Sequence, residues 1–223
     1  MKRRPPDGNV RRVASFAGNL RGVMTNKADR LVQYESWQEH SFLLRLDRDP
    51  TVIDYQSQPE VFHFRGSDGK HHQYTPDFRV VRSDGTIEIH EVTISGRRDS
   101  VRSQAREQAA HEICVARGWR YIVHTEETLP RGTEHANLLA LYPFRPSVYA
   151  NKQVAESVTN LLADGVVRRL QPTIREIATG LTVEMGQVVR PLFHMLWHGD
   201  ITTDHNVLLI DAGAVTPTAR VWL

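Results

Sequence analysis

Twice in close succession the tripeptide Ser-Asp-Gly interrupts runs of β-branched and aromatic side chains, at 67–69 and at 83–85. Asp-Gly between such runs is a strong hairpin signal, because glycine reaches the positive φ that a tight turn needs. The runs are Val52 to Tyr55, Val61 to Phe64, Tyr74 to Val81 and Thr86 to Ile94. They predict short strands, the later ones antiparallel neighbours. Helical patterns flank them. From Glu35 to Arg48, Phe42, Leu43 and Leu46 recur at helical spacing, and Asp49-Pro50 stops the run. From about Asp99 to Arg117, Val101, Ala105, Ala109, Ile113 and Ala116 form one stripe, and Gly118 closes the helix. Tyr121 to His124 reads as one more strand. Strands held between helices predict an α/β core, a mixed sheet flanked by helices.

Residues 130–146 read as a connector. Helices are then expected at Lys152 to Asp164, Thr173 to Gly180 and Val183 to His198, with a two-stranded stretch from Ile201 to Ile210. Three short helices followed by a hairpin is the order of a winged helix. The expected division is an arm over 1–30, a core over 31–146 and a winged-helix-like domain over 147–223. The chain has 223 residues and is 40% hydrophobic, enough for each part to bury a core.

The net charge of +2 hides an asymmetry. Residues 1–30 hold Lys2, Arg3, Arg4, Arg11, Arg12, Arg21, Lys27 and Arg30 against Asp7 and Asp29. A basic arm on a mildly acidic body suits contact with phosphates. The basic start is followed by no apolar stretch, unlike a secretory signal. No apolar run approaches the roughly 18 residues that span a bilayer, so no membrane contact is expected. The single cysteine, Cys114, rules out a disulfide framework within the chain and fits a reducing cytoplasm.

Side chains alternate across a strand, so Ile87, Ile89, Glu91 and Thr93 share one face. A carboxylate thus follows two isoleucines. Asp77 enters the preceding apolar segment, and the turn at 83–85 makes the two strands neighbours. Glu39 lies three, four and seven positions before Phe42, Leu43 and Leu46, on the edge of the core-facing stripe. Three converging carboxylates call for a cation. Oxygen donors without cysteine favour Mg²⁺ or Mn²⁺, which activate water and stabilise charge on a phosphate. Each acid also has a plainer role. Ser36 and Glu39 are spaced as a capping box, Asp77 follows Pro76 as a turn residue would, and Glu91 is within reach of Arg102 or Arg106 on the next helix.

The run Glu35-Ser36-Trp37-Gln38-Glu39-His40-Ser41-Phe42-Leu43 is followed by Asp49-Pro50, Tyr55-Gln56-Ser57-Gln58-Pro59, Tyr74-Thr75-Pro76-Asp77-Phe78, Glu91-Val92, Gly118-Trp119 and His124-Thr125-Glu126. In that order, over about residues 31–130, it resembles TnsA, the endonuclease subunit of Tn7-type transposases. The resemblance implies a restriction-endonuclease-like PD-(D/E)xK core that cuts the 5′ ends of a transposon. It implies a DDE transposase (TnsB-like) and an AAA+ ATPase (TnsC-like) as partners, in a bacterial cytoplasm and at the nucleoid when in complex. It places the family's metal-binding and catalytic acids on Glu39, Asp77 and Glu91, with the carbonyl of Val92 as a further oxygen. The family's lysine falls on Thr93, which carries no charge. Another cation then has to reach the site, or the ion suffices alone, or the subunit only docks. Lys70, Arg97, Arg98, Arg102 and Arg106 are the candidates. These five, with Arg3, Arg4, Arg11, Arg12 and Lys27, are the expected DNA contacts. The other readings are a winged-helix DNA-binding regulator and a restriction or repair nuclease of the same fold.

Elsewhere, His71-His72 reads as exposed turn chemistry. His194 and His198, four apart on a helix, lack a third metal ligand. Cys114 reads as a small buried residue and Trp119 and Trp222 as packing residues. The helix at 183–198 is poor in Lys and Arg, and Pro191 is expected to interrupt it. That favours protein contact over base readout.

Overall fold

The computed structural model describes residues 21–66 and 69–223. The chain divides into two compact units, at Pro130 and Arg131.

In the first unit, strands β1 (Gly22–Thr25) and β2 (Leu31–Tyr34) form an antiparallel hairpin. Part of the expected arm is therefore folded. Asn26 holds the hairpin turn through its own Oδ1, and its Nδ2 donates to the Tyr55 carbonyl at 2.9 Å. Helix α1 (Trp37–Arg48) follows, capped by Ser36 and ended at Asp49, whose extended backbone suits the residue before a proline. It buries Phe42, Leu43, Leu44 and Leu46.

Next come β3 (Val52–Ser57), β4 (Phe62–Arg65), β5 (His71–Tyr74), β6 (Phe78–Arg82) and β7 (Ile87–Val92). The single strand expected over 74–81 is broken at Thr75-Pro76-Asp77, where proline cannot donate to a ladder. The halves belong to different sheets. β4 and β5 pair as a hairpin, and β6 joins the central sheet of order β3-β6-β7-β8. Both hairpin expectations hold. Gly66 donates to Lys70 at 2.9 Å across the first turn, and Gly85, at φ +84°, sits in the second. Ser67 and Asp68 lie outside the described residues.

Helix α2 (Val101–Ala116) and strand β8 (Arg120–His124) complete the unit, with β8 parallel to β7. α2 ends in a Schellman motif. Gly118 adopts φ +71°, its N–H donates to Val115, and the Trp119 N–H donates to Cys114. The buried face of α2 centres on Ala110 and Cys114; of the expected stripe Ile113 packs against it, while Val101 is 80% exposed. These two residues pack with Phe62, Tyr74 and Ile89 on one side of the sheet. On the other side Phe42 of α1 contacts Phe78, His90 and His124. The result is a mixed sheet between helices, α-β-β-β-α-β in order, with the β4–β5 hairpin inserted.

The second unit begins with a helix where a connector was expected, α3 (Gly132–Leu141). Then come α4 (Lys152–Leu162), β9 (Arg168–Arg169), α5 (Leu170–Leu181) and α6 (Met185–His198). β10 (Thr202–Thr203), β11 (Ile210–Asp211), β12 (Ala214–Val215) and β13 (Arg220–Trp222) follow. α6 continues through Pro191 instead of breaking there. It buries Val188, Pro191, Leu192, Phe193, Met195, Leu196 and Trp197, and this packing outweighs the one backbone hydrogen bond that proline removes. The expected pairing within 201–210 does not form. β10 pairs with β13, which also pairs with β9, while β11 and β12 form a separate hairpin. The expected boundary at 146 falls inside this unit. Rings explain why: Tyr142 packs on Trp197 and Phe144 on Phe193. Among the described residues no helix is long and apolar enough to cross a membrane.

Candidate active site

Asp77 is the last residue before β6, and Glu91 is the last but one of β7. Pairing Phe78 with His90 places the two acids side by side at the same end of neighbouring central strands. Their carboxyl groups hydrogen-bond one another. Asp77 is fixed from behind, since the Val92 N–H donates to its Oδ2 at 2.8 Å. Val92 is thus seen in the site through its N–H.

Glu91 is buried and held by two donors. The Tyr74 hydroxyl donates to Oε2, and Arg106 places a guanidinium nitrogen 2.9 Å from Oε1. The Tyr121 hydroxyl lies 3.4 Å from that of Tyr74. Neither tyrosine was expected here. The available signal was that Tyr74 directly precedes Thr75-Pro76-Asp77 and alternates with residues of the exposed β5 edge.

Glu39 serves the start of α1, as its spacing from Ser36 allowed. Its Oε2 accepts from the Glu35 N–H at 2.8 Å, its Oε1 from the Ser36 hydroxyl at 3.2 Å, and its own N–H donates to Ser36. The carboxylate therefore closes the first turn of α1, where the helix dipole favours a negative charge. It still repels Asp77.

Crowding sets the proton affinities. Burial first, then Glu91 and Glu39, push Asp77 well above the ordinary aspartate range. Burial raises Glu91, with Arg106 opposing it. Burial also raises Glu39, against the bonds from Glu35 and Ser36. Three carboxyls that disfavour one another's ionisation suit a hard divalent ion. Among the described residues, however, no three His, Cys, Asp or Glu side chains stand together as a ligand group. Asp77 and Glu91 form the pair, and Glu39 is turned into its helix cap.

The pair opens into a cleft of about 720 Å³, bounded by Tyr74 and Thr75 and by Arg102 and Arg106 of α2. Thr93 stands beyond the end of β7, its N–H donating to the His124 carbonyl at 2.9 Å. The other expected phosphate contacts have varied fates. Arg98 is held in a fork by Glu107, at 2.8 Å from one nitrogen. Arg97, Arg102 and Lys70 are exposed. The Lys27 ammonium donates to the carbonyls of Asp49 and Val52, which ties the hairpin to β3. Arg3, Arg4, Arg11 and Arg12 lie outside the described residues.

His71 and His72 are exposed on β5, with His72 stacked on Phe64. His194 and His198 bond the carbonyls of Phe144 and Arg145 at 2.8 and 3.0 Å. Cys114 is buried, and burial raises its thiol to about 11.

Fold and site together define a mixed α/β domain whose central strands present a carboxyl pair to an open, partly basic cleft. Residues 49–126 match the family model of the TnsA-like endonuclease N terminal, and the chain carries a TnsA-like endonuclease domain over that stretch. The match takes in Asp77, Glu91 and Thr93 and begins after Glu39, so Glu39 rests on its electrostatic link to the other two. No curated protein matches the chain.

Proposed function

We propose that this chain is the DNA-cleaving subunit of a Tn7-type transposase assembly, hydrolysing a phosphodiester at the 5′ ends of a transposon with Mg²⁺ or Mn²⁺. The observation that carries this reading is the contact between Asp77 and Glu91 at the mouth of a cleft, each with its proton affinity raised by burial. Such a pair is costly to keep unless a cation or a reaction uses it. Asp77 and Glu91 would hold the ion, with Glu39 and the Val92 carbonyl as further oxygens. When bound, the ion supplies charge stabilisation for the phosphate and a more acidic water.

The chain's own residues supply placement. Val92 fixes Asp77, Tyr74 orients Glu91, and Arg102 lines the cleft beside them, where a phosphate would be met. In the reaction the water oxygen joins phosphorus and the P–O3′ bond breaks. One water proton ends on the 3′ oxygen, and the other goes to the 5′ phosphate or to solvent.

In the second unit the order α4-β9-α5-α6-β10-β13, with β13 between β10 and β9, supports a winged-helix-like module. Its α6 presents few basic residues, which favours docking to the ATPase or transposase over base readout. A second reading, a docking subunit that does not cut, is favoured by Thr93 and by the cap that occupies Glu39.

Calorimetric titration of Mn²⁺ into the full chain, paired with end-cleavage assays on the assembled complex, tests the proposal. Asp77→Ala is expected to abolish both signals. Cleavage that survives Asp77→Ala overturns the site, and an absence of Mn²⁺ binding to the unaltered chain favours the docking reading.

A further inference from the structure

We infer that Arg106 of α2 supplies the positive charge that β7 lacks, and that Glu91 holds it in reserve until a divalent ion takes over that carboxylate. The inference rests on the nuclease reading above.

Thr93 offers a hydroxyl at a place where such sites use a fixed charge, and it stands past the strand end with its N–H bound to His124. Arg106 reaches Glu91 of the carboxyl pair from α2. It lies four and eight residues before Ala110 and Cys114, the buried positions of α2, so helix phase turns it toward the sheet. Its terminal nitrogen is 2.9 Å from Glu91 Oε1, and its guanidinium carbon is 5.0 Å from the centroid of the Tyr74 ring. Its Nε is buried and has no hydrogen-bond partner. In this position that donor is shut off from solvent, so Arg106 gains an acceptor for it only by turning into the cleft it lines. A phosphate oxygen is such an acceptor, and the guanidinium fork matches it.

The other basic candidates are less well placed. Glu107 engages Arg98, while Arg97 and Lys70 are exposed and Arg102 stands one helical turn earlier at the cleft rim. Arginine stays protonated at every accessible pH, so Arg106 takes the electrostatic part of a lysine's work and moves no proton. Two cations cannot share one carboxylate oxygen at full strength. With an ion on Glu91, Arg106 would be free to turn toward the phosphate, which would couple DNA binding to metal loading through this side chain.

The test is affinity of the full chain for a fluorescent duplex, with Ca²⁺ in place of Mg²⁺ so that binding is read without turnover, against the same titration in EDTA. Arg106→Gln is expected to lower affinity about tenfold in Ca²⁺, the worth of one charge-assisted hydrogen bond. In EDTA, where the guanidinium is held by Glu91, the expected loss is under about twofold. With Mg²⁺ the cleavage rate should fall about 10²-fold or more, and adding Thr93→Lys to Arg106→Gln should restore at least about tenfold of it.

Equal affinity loss in Ca²⁺ and EDTA, or no rescue by Thr93→Lys in a folded double variant, overturns the inference. Should Arg106→Gln fail to fold, Arg106→Lys carries the test. Its cleavage profile should gain an alkaline fall as the lysine deprotonates, which the unaltered chain lacks, and an unchanged profile overturns the inference. The nuclease reading fails separately. Cleavage that survives Asp77→Ala removes that reading, whereas loss in Asp77→Ala with full activity in Arg106→Gln removes only the role of Arg106.

Discussion

Asp77 ionises against two other carboxyls, and its neighbours do not fully compensate. Its one backbone donor, Val92, works against burial and against Glu91 and Glu39. The sign of the resulting pH dependence is fixed. The folded-state pKa is raised, so from the ordinary value near 4 up to the raised one the folded chain keeps a proton that the unfolded chain gives up. Stability contributed by this group is therefore lost as pH rises through that window. Asp77→Asn keeps the shape and an oxygen for Val92 while deleting the charge. At pH 7 without metal it is expected to stabilise the chain by about 0.5–2 kcal/mol, as active-site substitutions of this kind do. Mn²⁺ should raise the melting temperature of the unaltered chain and leave that of Asp77→Asn unmoved. Differential scanning calorimetry reads both, and a variant less stable than the parent at pH 7 contradicts the argument. This pair was legible in the sequence because strand alternation and an Asp-Gly turn are local rules. Arg106 was not separable from four other basic residues. The choice among them depends on the rotation of α2, and the apparent stripe Val101, Ala105, Ala109 was one position off the buried one.

At the scale of elements, β7 is buried on both faces, and its faces differ. Ile89 and Glu91 meet α2, while Glu88 and His90 meet the α1 side. Glu88 is buried at 4% exposure and held by His90 at 3.1 Å and by Arg82 at 2.8 Å. His90 passes the chain on to His124, with ring nitrogens 2.9 Å apart and planes 15° from parallel. One imidazole donates and the other accepts, so the pair is stable as neutral rings. Burial, with His90 and Arg45 nearby, lowers His124 to about 4. A depressed histidine pKa means that the unfolded chain binds the proton first. Stability from this group is complete above about 6.5 and is lost as pH falls toward 4. His124→Gln should flatten that limb. The quantity to measure is the difference in melting temperature between variant and parent from pH 7 to pH 4.5, and a constant difference refutes the role given to His124. Sequence pattern found β7 and β8 but not this network, because its members lie 34 residues apart and meet only through the parallel pairing of β7 with β8. For the same reason the two-residue strand β9 was invisible, since its partner β13 is far along the chain.

For the molecule as a whole, the position of the division changes what can be cut away. Proline at 130, 143 and 146 makes 130–146 look like a connector, yet α3 occupies most of it. Asn137, 3% exposed, explains why α3 belongs to the second unit. Its Nδ2 donates to the Val207 carbonyl at 2.8 Å, and its Oδ1 accepts from the Leu209 N–H at 2.8 Å. A single amide thus closes both backbone groups of the segment after β10. His194 and His198 do the same for the carbonyls of the turn after α3, and Tyr142 and Phe144 cover Trp197 and Phe193. A fragment of residues 131–223 is therefore expected to unfold cooperatively in urea, whereas 147–223 should lack a cooperative transition. Within the longer fragment, Asn137→Ala leaves a buried donor and a buried acceptor unpaired and should cost about 2–4 kcal/mol. Aspartate at the same place accepts from Leu209 but cannot donate to Val207, so Asn137→Asp should be no better than alanine. If 147–223 unfolds as sharply as 131–223, or if Asn137→Ala is neutral, α3 is an appendage and the division belongs at 146 after all.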